Sequence, residues 1–185
     1  MWLVAQGFSQ KLGIDYEEIF SPVMGAITYN FLISLAVPKR LDMCLMNVIT
    51  IYLYGSMDND IYIKIPKGFK LPEANSTEPH SMYLIKLQRS LYGYKQSGCM
   101  WYNFFSECLL KEMHVNNTIY PCIFIKKSKL EFAITVVYVD YLNLVGTSEE
   151  LTRIIIIWKK NLRWKILEKQ NFGSACKSSI FQMEF

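Results

Sequence analysis

Tyr138-Val139-Asp140-Tyr141 lies between two apolar runs, Phe132-Ala133-Ile134-Thr135-Val136-Val137 before it and Leu142-Asn143-Leu144-Val145-Gly146 after it. Runs rich in aliphatic and β-branched residues, parted by so short a stretch, read as two strands meeting in a tight hairpin with an acid at its tip. A carboxylate there is costly unless it satisfies turn N–H groups or holds a cation. On the residues alone both readings of Asp140 stand.

Working outward, strands are predicted at 122–125 and 132–137, joined by Lys126-Lys127-Ser128-Lys129, a solvated hairpin tip. Residues 148–162 read as a helix capped by Ser148, with Leu151, Ile154, Ile155, Trp158 and Leu162 on its buried face and Ile156 and Ile157 off it. Lys159, Lys160, Arg163 and Lys165 would form that helix's exposed face, and either this cluster or the 126–129 turn could instead touch a phosphate backbone. A second helix starts at Ser97, a good N-cap, and buries Trp101, Phe104, Phe105, Cys108 and Leu109 at spacings 0, 3, 4, 7 and 8. Residues 25–37 predict a buried helix (Tyr29, Leu32, Ile33, Ala36) stopped by Pro38. Further strands are expected at 3–8, 41–48, 61–65, 82–87 and 180–185, with a polar, Pro- and Gly-containing loop at 66–79. Helices and strands in mixed order, with several hairpins, predict an α+β fold with a mainly antiparallel sheet backed by helices.

At 185 residues, 51% hydrophobic and 19% charged, the chain suits a globular domain with a sizeable core. Its 20 Lys and Arg against 16 Asp and Glu give a net charge of +4, compatible with a nucleic-acid partner without requiring one. Five cysteines show no C-x-x-C spacing, and His80 and His114 have no ligand-spaced neighbours, which speaks against a zinc site and for a reducing compartment. The N-terminus lacks a signal-peptide pattern, and runs such as Ile154-Ile155-Ile156-Ile157-Trp158 are too short to span a bilayer. The expectation is an intracellular protein, cytoplasmic or nuclear, with no membrane partner.

Several separate stretches resemble the reverse transcriptase domain of copia-type retrotransposons. These are Leu3-Val4-Ala5-Gln6-Gly7-Phe8-Ser9-Gln10-Lys11, Gly13-Ile14-Asp15-Tyr16-Glu17-Glu18, Phe20-Ser21-Pro22-Val23, Ile61-Tyr62-Ile63 with Pro66-Lys67-Gly68-Phe69, Ser90-Leu91-Tyr92-Gly93-Tyr94-Lys95-Gln96-Ser97 with Trp101-Tyr102, and Tyr138-Val139-Asp140. They run collinear with the family over about residues 3–173. The resemblance implies the fingers and palm of a right-hand polymerase over residues 1–185, with part of the fingers missing and no thumb, protease, ribonuclease H or integrase part. It also implies an ancestral RNA/DNA template-primer, a deoxynucleoside triphosphate and Mg²⁺ as partners.

In such an enzyme two Mg²⁺ ions, held by three carboxylates on neighbouring strands, stabilise the attacking and leaving oxygens of phosphoryl transfer. The family's three Asp positions fall here on Asn47, Asp140 and Tyr141. Asn47 keeps a carbonyl but no charge, and Tyr141 is a neutral phenol at pH 7, its usual pKa being about 10. No substitute acid is evident: Asp42 would point to the opposite face, and Asp58 and Asp60 lie past a turn.

Tyr52 matches the family's sugar-gating aromatic, but reads equally well as a core aromatic. Gln96 matches a glutamine near the incoming nucleotide, although Gly98 and Cys99 replace the Pro and Arg expected after Ser97. The chain is therefore expected to be a degenerate reverse transcriptase domain that no longer polymerises. The alternatives are a non-enzymatic nucleic-acid-binding remnant or a relic without function.

Overall fold

The computed structural model describes residues 4–57, 60–66, 68–69, 82–129 and 131–170. The strand expected at 180–185 and most of the loop at 66–79, with Asp58, His80 and Cys176, lie outside them. The chain divides into two compact units, Met1–Ser21 with Ile51–Phe105, and Pro22–Thr50 with Ser106–Phe185.

The second unit is built on helix α1 (Ala26–Ala36) and strand β1 (Asp42–Val48), and the first holds β2 (Tyr62–Lys64) and β3 (Leu84–Lys86). Helix α2 (Ser97–Lys111) follows, then β4 (Val115–Asn116), β5 (Ile123–Lys127), β6 (Phe132–Tyr138), β7 (Tyr141–Gly146), α3 (Ser148–Asn161) and β8 (Trp164–Gln170). Six strands of the second unit form one sheet in the order β4-β5-β6-β7-β1-β8, and every named strand pairing is antiparallel. A mixed α+β fold with an antiparallel sheet is thus present as the sequence predicts.

The register of β1 on β7 (Met43↔Val145 through Asn47↔Tyr141) and of β7 on β6 fixes which residues share a face, because directly opposed residues of an antiparallel pair point the same way. One face carries Met43, Val145, Ile134 and Val136, which pack with Met24, Leu32 and Ala36. Helix α1 covers this face with Leu32 and Ala36, and with Tyr29, Ile33 and Leu35 half-buried against it, while Ile27 and Phe31 stay exposed, so the expected buried helix buries one side only. It stops at Val37, since Pro38 has no N–H to continue the ladder. The opposite face carries Cys44, Leu144, Thr135 and Phe124 in one row and Met46, Leu142 and Val137 in the next, all buried.

Helix α3 buries Leu151, Ile154, Ile155 and Trp158 on β1, β6 and β7. Glu149 and Glu150 in its first turn and Lys159 and Lys160 in its last complement the helix dipole. Ile156 is exposed and Ile157 half-buried, as the spacing predicts.

Four local expectations fail. Residues 7–9 form a 3₁₀ turn instead of a strand. Ser97 is the first residue of α2 instead of the one before it, and its hydroxyl donates to the Leu91 carbonyl at 2.7 Å. Thr147 is the N-cap of α3, while the Ser148 hydroxyl donates to Asp42 Oδ2 at 2.5 Å. Lys126 is no tip residue: it stands opposite Ala133 on the α3 face and pairs with buried Glu150 at 2.8 Å. Burial pushes the Glu150 carboxyl upward, but hydrogen bonds from its partners, Lys126 foremost, and the charges of Lys126 and Arg153 outweigh it and hold it low. Arg153 also pairs with Glu131.

His114 sits under the same helix, buried, with Nε2 3.5 Å from Thr135 Oγ1 and its ring beside Trp158. Burial, then the Lys126 charge, lowers its pKa to about 4, against the opposing pull of the Leu109 and Glu112 carbonyls. The unfolded chain therefore takes up a proton between pH 6.5 and 4 that the folded chain refuses, and stability falls as pH drops through that window. Urea midpoints should show a loss of about 2 kcal/mol between pH 7 and pH 5, flattened in His114→Leu.

Candidate functional site

The hairpin at Tyr138-Val139-Asp140-Tyr141 is as tight as the sequence implies: Tyr138 and Tyr141 face each other across β6 and β7, leaving Val139 and Asp140 as the loop. Val139 has φ +52°, a left-handed conformation that a β-branched side chain adopts only at a cost of about 1–2 kcal/mol. Strand β1 is tied to the turn, its Val48 N–H donating to the Asp140 carbonyl at 2.8 Å.

Three of the five predicted site residues meet here. Asn47 stands directly opposite Tyr141, and Asn47 Nδ2 donates to Asp140 Oδ2 at 2.7 Å. On the other side of β1, Lys165 of β8 is opposed to Asn47. One row of the α1-side face therefore reads Lys165, Asn47, Tyr141, Tyr138, with Asp140 in the turn joining the last two. Lys165 is exposed, and Asn47, Asp140, Tyr141 and Tyr138 are half-buried. The sequence assigns Lys165 to the last helix instead of to this row, because β8 lacks strand-like alternation. Arg163 also lies past the end of α3, so the last helix keeps only Lys159 and Lys160 of the four cations assigned to it.

The next row holds Asn143 between Leu45 and Val136, fully enclosed, and its Nδ2 has no hydrogen-bond partner among the described residues. Asp42, five residues before Asn47, is spent on Ser148, and Asp60 on Lys86 at 2.6 Å. Among the described residues no three His, Cys, Asp or Glu side chains cluster to hold a metal. Two Mg²⁺ ions require hard anionic oxygens. One carboxylate that already accepts an amide N–H, with a neutral amide and a phenol beside it, does not fit that pair of ions.

The remaining predicted residues belong to the first unit. Tyr52 lies in a 3₁₀ turn (Ile51–Tyr54), its carbonyl accepting from the Ser90 hydroxyl at 2.8 Å and its ring edge-on to Tyr92 at 4.7 Å. Gln96 is buried: its Oε1 accepts from Gln10 Nε2 at 2.9 Å, and its Nε2 donates to the Asp15 carbonyl at 3.3 Å. Gln10 and Asp15 line a cavity of about 580 Å³ with Lys64 and Tyr94, and Gln96 lines a neighbouring one of about 230 Å³.

Two of the sequence strings interlock in this unit. The Ala5 N–H donates to the Tyr92 carbonyl at 2.7 Å, and a side chain on Gly7 would stand 1.9 Å from the Gly93 carbonyl oxygen. Gly93 has φ +95°, and a Cβ on it would stand 2.1 Å from the Ala5 oxygen. Only glycine satisfies both conditions.

With this geometry in place, comparison with known proteins defines the class. Residues 1–177 match the family described as "Reverse transcriptase (RNA-dependent DNA polymerase)". The chain belongs to that family, and its curated relatives are copia-type Pol polyproteins. It is 35% identical over 80% of its length to the Retrovirus-related Pol polyprotein from transposon TNT 1-94 of Nicotiana tabacum, covering 11% of that protein. It is 30% identical over 80% of its length to the polyprotein from transposon RE1 of Arabidopsis thaliana, covering 10% of it. The Transposon Ty1-ER2 Gag-Pol polyprotein of Saccharomyces cerevisiae is 26% identical over 96% of the chain, again at 10% of its own length. The chain thus spans about a tenth of these relatives. No solved structure matches it. Among the described residues no helix is long and apolar enough to cross a membrane.

Two outcomes follow from this geometry. Gly93→Ala should lower stability by about 3 kcal/mol or more in urea titration, because positive φ and a backbone clash add. Asn47→Ala and Asp140→Ala should each cost about 1–2 kcal/mol. The double variant should cost less than their sum by about 1 kcal/mol, as expected for partners in one hydrogen bond.

Proposed function

We propose that the chain is a retrotransposon-derived reverse transcriptase domain whose polymerase chemistry is disabled at its metal site. The observation that carries this is that Asn47 stands opposite Tyr141 and hydrogen-bonds Asp140, where the family resemblance calls for three carboxylates. Asp140 is the surviving former metal ligand, and Asn47 and Tyr141 are the positions where the other two acids are gone. Mg²⁺ is then an ancestral cofactor of this domain, not one its present residues hold. In this reading the second unit is the palm and the first is part of the fingers. Tyr52 and Gln96 mark the old nucleotide side, supported by the cavities beside Gln10 and Gln96.

Two local costs lie beside the altered row. Among the described residues Asn143 Nδ2 has no hydrogen-bond partner, which left so would cost about 1–3 kcal/mol, one row from the same site. Val139 keeps a strained turn in place. Strain of that kind is tolerated where a function once required the geometry.

Primer extension on a template-primer with Mg²⁺ or Mn²⁺ tests the reading. The unmodified chain should give no template-dependent product above an Asp140→Ala control; synthesis above it would overturn the proposal. In Asn47→Asp/Tyr141→Asp, three carboxylates stand together, so Mg²⁺ should raise the melting temperature of this variant and leave the parent unmoved. No shift in the variant would count against the row as the metal site.

A further inference from the structure

The larger cavity of the first unit runs along a strand edge. Four successive residues, Ile61 and the three of β2 (Tyr62, Ile63, Lys64), line it, together with Val4, Ala5 and Gln6. A cavity over the face of a strand would meet every second residue; four in a row place it at the edge of β2.

That edge is open. Strand β2 belongs to a two-stranded sheet, and among the described residues β3 is its one partner. The Leu87 N–H donates to the Ile61 carbonyl at 2.9 Å and Ile63 opposes Ile85, so Ile61 and Ile63 spend their backbone groups on the β3 side. Tyr62 and Lys64, in the alternate pairs, turn theirs away from β3, where no backbone partner meets them among the described residues. Their side chains are exposed, while those of Ile61 and Ile63 are half-buried on the other face. Ala5 does not compete for the edge, its N–H being given to the Tyr92 carbonyl at 2.7 Å.

Size and charge then choose the occupant. One residue of an added strand fills about 160 Å³, from a rise of about 3.3 Å, a strand spacing of about 4.8 Å and a layer thickness of about 10 Å. The cavity of about 580 Å³ therefore takes about three to four such residues, which is the length of the β2 edge. Among the described residues lining it, the charges of Lys64 and Asp15 cancel, and Gln6, Ser9 and Gln10 are neutral. Whatever place this cavity had on the nucleotide side of the ancestral domain, its present lining matches a neutral chain with amides of its own and not a triphosphate.

We propose that the cavity is a peptide site, in which an extended, uncharged segment of a partner protein pairs antiparallel with β2 as a third strand. Its residues alternate: polar ones stand beside Tyr62 and Lys64 and exchange backbone hydrogen bonds with them, and apolar ones stand beside Ile61 and Ile63. A third strand also supports a ribbon that is marginal with two. The inference goes beyond the reading of the metal site and does not depend on it.

Fluorescence anisotropy of a labelled, end-capped heptapeptide of alternating threonine and valine, titrated with the full chain, provides the test. Binding should be saturable. N-methylation of the threonine amides, which face β2, should weaken it at least about tenfold, and N-methylation of the valine amides by no more than about threefold. Tyr62→Pro should abolish binding, because the N–H it removes faces the cavity and the hydrogen bonds between β2 and β3 are left in place. A thermal melt shows whether this variant is folded. Amide exchange reads the same edge in the unmodified chain: saturating peptide should slow Tyr62 and Lys64 at least about tenfold.

Absence of binding, equal losses from the two methylation patterns, or unslowed Tyr62 and Lys64 amides in the saturated chain would overturn the proposal. Displacement of the peptide by equimolar thymidine triphosphate would assign the cavity to a nucleotide and overturn it as well. None of these results alters primer extension or Mg²⁺ binding by Asn47→Asp/Tyr141→Asp, so this inference and the metal-site reading fail separately.

Discussion

The antiparallel pairing of β1 with β7 is the constraint on which the rest of the second unit depends. These strands have neighbours on both sides, and their side chains alternate between the α1 face and the α3 face with a period of two. A slip of one residue would carry Met43 and Val145 out of the α1 core and turn Met46 and Leu142 away from α3. The packing therefore fixes the register to the residue. The register in turn sets Asn47 against Tyr141 and within hydrogen-bonding distance of Asp140. Core and candidate site are consequences of one alignment.

The first unit is governed differently, by closeness of backbone. Gly7 and Gly93 let two stretches of chain approach to distances at which any side chain would collide. That approach delivers Gln10 to Gln96 and closes the hydrogen bonds that also hold Asp15. The two sequence strings that carry the family resemblance here are thus halves of one interlocked structure, which gives their joint presence a physical reason.

Much of this is legible in the sequence, and the failures have identifiable causes. The buried face of α2, the limit of α1 at Pro38 and the hairpin at Asp140 all follow from strong local signals: 3.6-residue spacing, a missing N–H, two apolar runs. The three-way meeting of Asn47, Asp140 and Tyr141 is legible only through the resemblance, because 93 residues separate Asn47 from Asp140. Strand β8 escapes because Trp164-Lys165-Ile166-Leu167-Glu168-Lys169 lacks clean alternation, and a register shift beside it breaks the pattern further. Lys126 looks like a tip residue in sequence because the acid that buries it stands 24 residues away. Ser148 misleads for the same reason: the partner that wins is supplied by tertiary structure, and local propensity does not announce it.

The hydrogen bond between Asn47 and Asp140 also bears on history. On the reading proposed above, it gives this pair a mutual satisfaction that two aspartates would have only around an ion. Converting Asn47 alone to aspartate would trade that bond for two like charges side by side, and converting Tyr141 alone would bring a second carboxylate to a row still lacking the third. Each first step back is uphill in folding before any catalytic gain can compensate. On that same reading the bond works as a ratchet, making the present sequence a valley that single substitutions toward the proposed older chemistry do not leave.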